Sequence, residues 1–362
     1  GDCQAVWAGV GVGRTFMSYT FVSTEKGTPS GNRAETCALL HLMCYADERD
    51  DIEQFAIDCF NDVTGMNNPC SNLYDVQSKA GKDASPAKLG EELATLFENF
   101  VSDFSQYFLT YTLFVGGVSS SVLDDPGLDE FGFHNMKPAA QKKLRDKLME
   151  TCKKRHRGAF EAKVTDENVD DFLSHVRFVT AKADPAEYIR TLANNTSALP
   201  SERELMKIFT EIRDKQSSLK NRDGIGGRSI ERPDEVMDYG RVLKAKVIRL
   251  LIIERMLNRD FFKDDVPAEF QDYLLTLPVE EDPNDVTEDC RNAMFKQYFN
   301  KNDREAFWML LNEIVTHFEN DGDASIAQVY DSLEQSTINA CWQMDKRAHL
   351  YFIAMVKDGL RK

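Results

Sequence analysis

Apolar residues recur with two alternating periods over the first 115 positions of this 362-residue chain, and with one period after that. Residues 32–46 (NRAETCALLHLMCYA) place apolar side chains at helical spacing behind a Gly/Pro/Ser loop at 27–31, which predicts a helix. Segments 52–63 and 73–79 read as strands, with a Gly-, Asn- and Pro-containing turn at 64–72 between them. Leu89, Leu93, Leu96, Phe97, Phe100, Val101 and Phe104 then return to a 3.6-residue repeat, and 108–115 is a β-branched and aromatic run. The order helix, strand, strand, helix, strand requires a sheet with helices packed on it.

Beyond about residue 136 the pattern is helical, over 137–157, 167–176, 184–194, 202–220, 234–262, 287–299, 302–319 and 324–358. Ser201 with Glu204 forms a capping box, and Asn302 with Glu305 a weaker one. Loops rich in Gly or Pro interrupt the series at 222–233 and 263–286, and no repeat of fixed period is present. The expected fold is α+β, an α/β unit with a mixed central sheet followed by an α-helical carboxy-terminal domain. The expected division is 1–136 for the sheet unit, 137–160 for a helical connector and 161–362 for the helical domain.

A composition of 42% hydrophobic and 29% charged residues is that of a folded soluble protein, and the longest apolar stretches are too short to span a bilayer. No charged segment, apolar run and small-residue cleavage site open the chain, so a cytoplasmic location is expected. The eight cysteines include no CxxC pair, which fits reduced thiols better than a disulfide framework or a zinc site. Cys37, His41 and Cys44 share one helical face, but that face is the apolar one, so core packing is the preferred reading. A net charge of −16 argues against a protein that coats nucleic acid by bulk electrostatics. One segment departs from it, since 137–157 holds nine basic residues against two acids. Lys142, Lys143, Lys153, Lys154, Arg155 and Arg157 within it are candidate phosphate contacts, set against the plain alternative of an exposed charged helix. Arg14, Lys82 and Lys88 are isolated basic residues near the sheet unit.

Chemistry concentrates on the segment LYDVQSK. In a strand, Asp75, Gln77 and Lys79 lie on one face and Tyr74, Val76 and Ser78 on the other. On the preceding segment Asp58 and Asp62 share a face, and Asp62, nearer the bend, is the stronger anchor. A carboxylate beside a Gln/Lys strand suits metal-assisted phosphodiester hydrolysis, because Mg²⁺ takes oxygen ligands and is held by one or two carboxylates together with water and substrate phosphate. Asp62 would anchor the cation, Gln77 would add an amide oxygen, and Lys79 would orient the attacking water and offset phosphate charge. Glu35, one turn into the preceding helix, would reach the same place, whereas Asp75 reads as a neighbour and not a ligand.

The residues GNRAE (31–35), NDVTG (61–65) and YDVQSK (74–79), with the helix and strand that follow, resemble the PD-(D/E)XK superfamily in its D…QxK variant. The similarity is specifically to the double-stranded DNA nuclease domain of bacterial anti-phage effectors, and it covers a quarter to a third of the chain. It implies a restriction-endonuclease-like core, a Mg²⁺- or Mn²⁺-dependent DNA endonuclease activity, and catalytic positions Asp62, Gln77, Lys79 and Glu35, with Asp62, Gln77 and Glu35 as metal ligands. It further implies partner subunits such as an SMC-like ATPase or another sensor, or self-association, and no membrane. Where the family often continues its strand acid with a second acid, this chain has Val63-Thr64. The alternative is a nuclease-like core kept as a catalytically silent scaffold or interaction subunit.

Two glycine-rich stretches are turns on this reading. Gly9, Gly11 and Gly13 lack the third spacing of a dinucleotide loop, and Gly224, Gly226 and Gly227 lack the Lys-Ser/Thr of a phosphate-binding loop. The helical half carries apolar faces, Ile248, Leu251 and Ile252 among them, that serve its own core with some surplus for a partner.

Overall fold

Leu73–Lys79 is buried over its first six residues, the mark of a central strand covered on both faces. The computed structural model describes residues 18–22, 28–155, 158–196, 200–220 and 224–361. Its strands are β1 (Tyr19–Thr20), β2 (Gln54–Ile57), β3 (Val63–Met66), β4 (Leu73–Lys79), β5 (Phe108–Val115), β6 (Glu130–Gly132), β7 (Val176–Thr180), β8 (Ser229–Ile230) and β9 (Val242–Lys244). Seven of them form a sheet in the order β6-β7-β5-β4-β3-β2-β9, while β1 pairs with β8. The β2, β3 and β4 strands are antiparallel neighbours, and β4-β5-β7 run parallel, so the sheet is mixed.

Helix α1 (Pro29–Cys44) covers one face of the sheet; Thr28 caps it by accepting the Gly31 N–H at 3.1 Å, and Pro29 starts it. Helices α2 (Pro86–Glu92) and α3 (Ala94–Phe100) lie on the other face, backed by α4 (Pro138–Lys153) and α5 (Asp166–His175). Helices α6 (Ala186–Leu192), α7 (Glu202–Lys220) and α8 (Ala245–Met256) extend the layer around α1. Tyr74 and Val76 of β4 pack on the α1 side and Leu73 on the α3 side, the alternation that a two-sided sheet demands. A third apolar cluster belongs to the carboxy-terminal helices α9 (Ala268–Leu274), α10 (Pro283–Tyr298), α11 (Arg304–Asn320), α12 (Ile326–Ser332), α13 (Gln335–Ala340) and α14 (Lys346–Arg361). The chain is therefore α+β, a mixed sheet clad in helices and followed by a helical region, and no helix among the described residues is long and apolar enough to cross a membrane.

Several local expectations change, including the expected loop at 263–286, which holds α9 and the start of α10. Of the extended run 52–63 only Gln54–Ile57 is a strand; Asp58 adopts a left-handed backbone (φ 57°) and turns the chain, and β3 starts at the run's last residue and occupies 64–66, the beginning of the segment expected to be a turn. The helical repeat through 234–262 is interrupted by Gly240 (φ 64°) and by β9, where Leu243 pairs with Phe55; the helix begins only at Ala245. Val176–Thr180, where helix 167–176 gives out, becomes a strand beside β5, so the sheet draws β7 and β9 from beyond residue 136. The pattern at 324–358 is three helices and not one. Ser201 does meet Glu204, at 3.1 Å from its N–H and 2.9 Å from its hydroxyl, but α11 is capped by Asp303 and not by Asn302.

Helices α2 and α4 meet so closely that a Cβ added to Gly90 would stand 2.2 Å from the Leu144 carbonyl oxygen. Backbone cannot yield as a flexible side chain does. Gly90→Ala is expected to lower stability by about 1–3 kcal/mol, read from the urea midpoint at unchanged slope.

The Cys37, His41 and Cys44 face of α1 is core. His41 sits against the Tyr45 and Phe114 rings, and Cys44 donates its thiol to the Tyr188 carbonyl at 3.4 Å. Burial pushes the Cys37 thiol up to about 12 and the His41 imidazole down to about 4. The unfolded chain takes up this proton near pH 6.5 and the folded chain only near 4, so stability is intact above pH 6.5 and falls through that window. His41→Leu is expected to remove the loss, gaining about 3 kcal/mol relative to the parent chain between pH 7.5 and 4 in paired denaturation series.

Candidate active site

Strand β3 begins at Val63 opposite Val76, so the next pair outward sets Asp62 beside Gln77 at the end of the ladder. There β3 no longer supplies an acceptor for β4, and the Asp62 carboxylate takes its place. Its Oδ2 accepts from the Ser78 N–H at 2.7 Å, the Gln77 Nε2 at 2.8 Å and the Ser78 hydroxyl at 3.1 Å. Oδ1 accepts no hydrogen bond among the described residues. Burial holds the Asp62 carboxyl above the ordinary range, against the opposing charge of Lys79 and the Ser78 hydrogen bonds.

Asp62, Gln77, Lys79 and Glu35 line one cleft of about 690 Å³. Glu35 projects from α1, and its Oε1 lies 2.6 Å from the Lys220 ammonium, with only 9% and 13% of the two side chains exposed. Burial, and next the Asp62 charge, push the Glu35 carboxyl up to about 7 despite Lys220. The two carboxylates thus repel each other across the cleft. Lys79 reaches Glu92 at the end of α2 (3.2 Å), which also holds Lys88 at 2.7 Å.

The other acids are engaged elsewhere. Asp58 lines the cleft, but its carboxylate forms an ion pair at 2.9 Å with Arg241, whose side chain is 2% exposed. Asp75 is fully buried beneath the cleft, accepting from Asn99 at 2.6 Å, Thr64 at 2.9 Å and Asn61 at 3.3 Å, and burial raises it to about 6. It supports Asn61 and the turn without lining the cleft.

Most of the basic run is neutralised locally. Lys142 pairs with Asp146, Lys147 and Lys154 with Glu150, and Arg145 with Asp166 and Asp170. Arg155 reaches the cleft while paired with Glu98 at 2.8 Å. Lys143 and Lys153 are exposed and have no acidic partner among the described residues. Arg157, Arg14 and the glycines at 9, 11 and 13 lie outside the described residues, and Gly226-Gly227 form a turn with Gly227 at φ 82°.

Lys220 and Glu92 went unnoticed in the sequence. Lys220 ends a helix 185 residues from its partner Glu35, and no local pattern marks it. Glu92 had one signal, its place four residues after Lys88 on a helix.

The arrangement offers a buried and a half-buried carboxylate, an amide and a lysine at the open end of a sheet. It can hold a hard cation or a phosphate, and move a proton at Glu35. Compared with protein-family profiles, with curated proteins and with solved structures, the chain matches none of them.

Proposed function

We propose that the cleft hydrolyses phosphodiester bonds of DNA with the help of Mg²⁺ or Mn²⁺, as an endonuclease of the PD-(D/E)XK type. The observation that carries this reading is that Glu35, Asp62, Gln77 and Lys79, drawn from a helix, a turn and a strand, line one cleft. A divalent cation suits the donor set. All three hydrogen bonds to Asp62 fall on Oδ2, leaving Oδ1, and the repulsion that lifts Glu35 is of the kind a cation relieves. Asp62 and Glu35 would hold it, with the Gln77 amide oxygen, since Gln77 Nε2 is committed to Asp62. When bound, the metal polarises the scissile phosphate and lowers the pKa of water. Lys79 orients the attacking water and offsets charge developing on the phosphate, Glu92 positions Lys79, and Arg155 is at hand for the DNA backbone.

The same reading makes the chain the effector subunit of a bacterial anti-phage complex, joined to a sensor such as an SMC-like ATPase. Support for a protein partner comes from the helical region, where Val279, Leu275 and Trp342 are 99%, 85% and 71% exposed. One observation favours the silent-scaffold alternative: among the described residues no group of three His, Cys, Asp or Glu is arranged to hold a metal, and the Lys220 ammonium already answers Glu35.

Incubation of supercoiled and linear DNA with the protein in Mg²⁺, Mn²⁺ or EDTA tests the proposal, alongside Mn²⁺ titration of the protein alone. Cation-dependent nicking or linearisation is the expected result. A protein that neither cuts nor binds Mn²⁺ is a scaffold.

A further inference from the structure

At the opposite end of α1 from Glu35, a second cavity of about 120 Å³ opens where the sheet unit meets the carboxy-terminal helices. Three arginines line it from three parts of the chain: Arg49 from the loop after α1, Arg249 from α8 and Arg304 from the first turn of α11. Tyr298, Trp308 and Asn194 stand in the wall with them, beside the end of α1.

The charges there do not balance. Arg304 has an acid, Asp50, at 3.1 Å. Among the described residues Arg49, which is exposed, donates only to the Ala46 carbonyl three residues earlier, at 3.2 Å. The Arg249 guanidinium has no acceptor among the described residues, although its backbone carbonyl accepts from the Tyr298 hydroxyl at 2.6 Å. Glu53, the next acid, is paired with Lys301. Of the three guanidinium groups, only that of Arg304 has an ion pair among the described residues, in a chain whose net charge is −16. Burial, and next the neighbouring Arg249 charge with a smaller part from Arg49, hold Arg304 below its usual value against the pull of Asp50 and Glu53. Arg49 and Arg249, which have no acidic partner among the described residues, are thus placed to donate to an anion beside Arg304.

Guanidinium forks match the tetrahedral oxygens of a phosphoryl group. We propose that this pocket binds a phosphoryl group, as free phosphate or as the terminal phosphate of a small phosphomonoester, through Arg49, Arg249 and Arg304. The site shares no residue with the cleft and requires no metal. Because its lining comes from both the sheet unit and the carboxy-terminal helices, bound phosphate also ties the two together.

Calorimetric titration of the full chain in EDTA with orthophosphate, adenosine 5′-monophosphate and adenosine tests the site. Orthophosphate and the monophosphate are expected to bind and to raise the melting temperature, and adenosine to do neither. Arg249→Gln and Arg49→Gln should each weaken phosphate binding by about tenfold or more, because each removes charged hydrogen bonds to the anion. Neither variant loses an ion pair among the described residues, and Arg49→Gln gives up only an exposed hydrogen bond to the Ala46 carbonyl, so both should melt within a few degrees of the parent chain. Tighter binding of the monophosphate identifies a terminal phosphate, and equal or weaker binding identifies the free ion. Absence of binding by both phosphates, or binding unaltered in both variants, overturns the proposal. EDTA throughout keeps this result separate from the fate of the nuclease reading.

Discussion

Asp62→Asn is expected to reduce cation-dependent DNA cleavage by about 10³-fold or more, since losing a metal-holding carboxylate forfeits several kcal/mol of transition-state charge stabilisation. The substitution keeps the shape of the side chain and an oxygen that can accept the Ser78 N–H, so the end of the β3–β4 ladder survives. It also removes the repulsion on Glu35, whose carboxyl should fall back toward its ordinary range. The melting temperature should therefore hold or rise while activity disappears, a combination that misfolding cannot produce. Lys79→Ala should cost about 10²–10⁴ in rate with the fold intact, because the side chain is 40% exposed and its one ion pair is to Glu92. Initial rates on supercoiled plasmid, with Mn²⁺ affinity measured in parallel, separate the roles. Asp62→Asn should lose both affinity and rate, and Lys79→Ala mainly rate. Full cleavage by either variant would remove that residue from the mechanism.

Arg241→Met is expected to destabilise the fold by about 3–5 kcal/mol, the largest stability change among the substitutions considered. Arg241 is 1% exposed, and its guanidinium reaches the Asp58 carboxylate at 2.9 Å, the Asp58 carbonyl at 3.1 Å and the Lys220 carbonyl at 3.3 Å. It thereby fastens the end of α7 to the turn between β2 and β3, the two segments that bring Lys220 and Asp62 to the cleft. Removing it takes the Arg241 charge away from the Asp58 carboxylate, in a side chain only 13% exposed. Asp58→Asn added to Arg241→Met should recover part of the loss, since the carboxylate charge that Arg241 balanced is gone and asparagine tolerates the left-handed backbone at that position. Urea denaturation of the two single variants and the double measures the coupling. A cost below about 1 kcal/mol for Arg241→Met would mean that the pair contributes no more than a surface contact.

Alternation along LYDVQSK was enough to set Asp75, Gln77 and Lys79 on one strand face, and the apolar repeat of 32–46 was enough to make α1 and bury His41. These are local properties: a strand or helix period tells which side chains share a face, whatever the face later meets. The same local reasoning could not end β2 at Ile57 or carry β3 through 64–66, because the break after β2 rests on one aspartate whose left-handed turn is held by an arginine far along the chain. Nor could it make a strand of Val242–Lys244, since a three-residue run has no period of its own and becomes extended by pairing with β2. Lys220 beside Glu35, Glu92 beside Lys79 and three arginines around one cavity exist only once distant helices pack. Sequence periodicity records how each segment is buried; which charges come to face one another is set by how the segments are stacked.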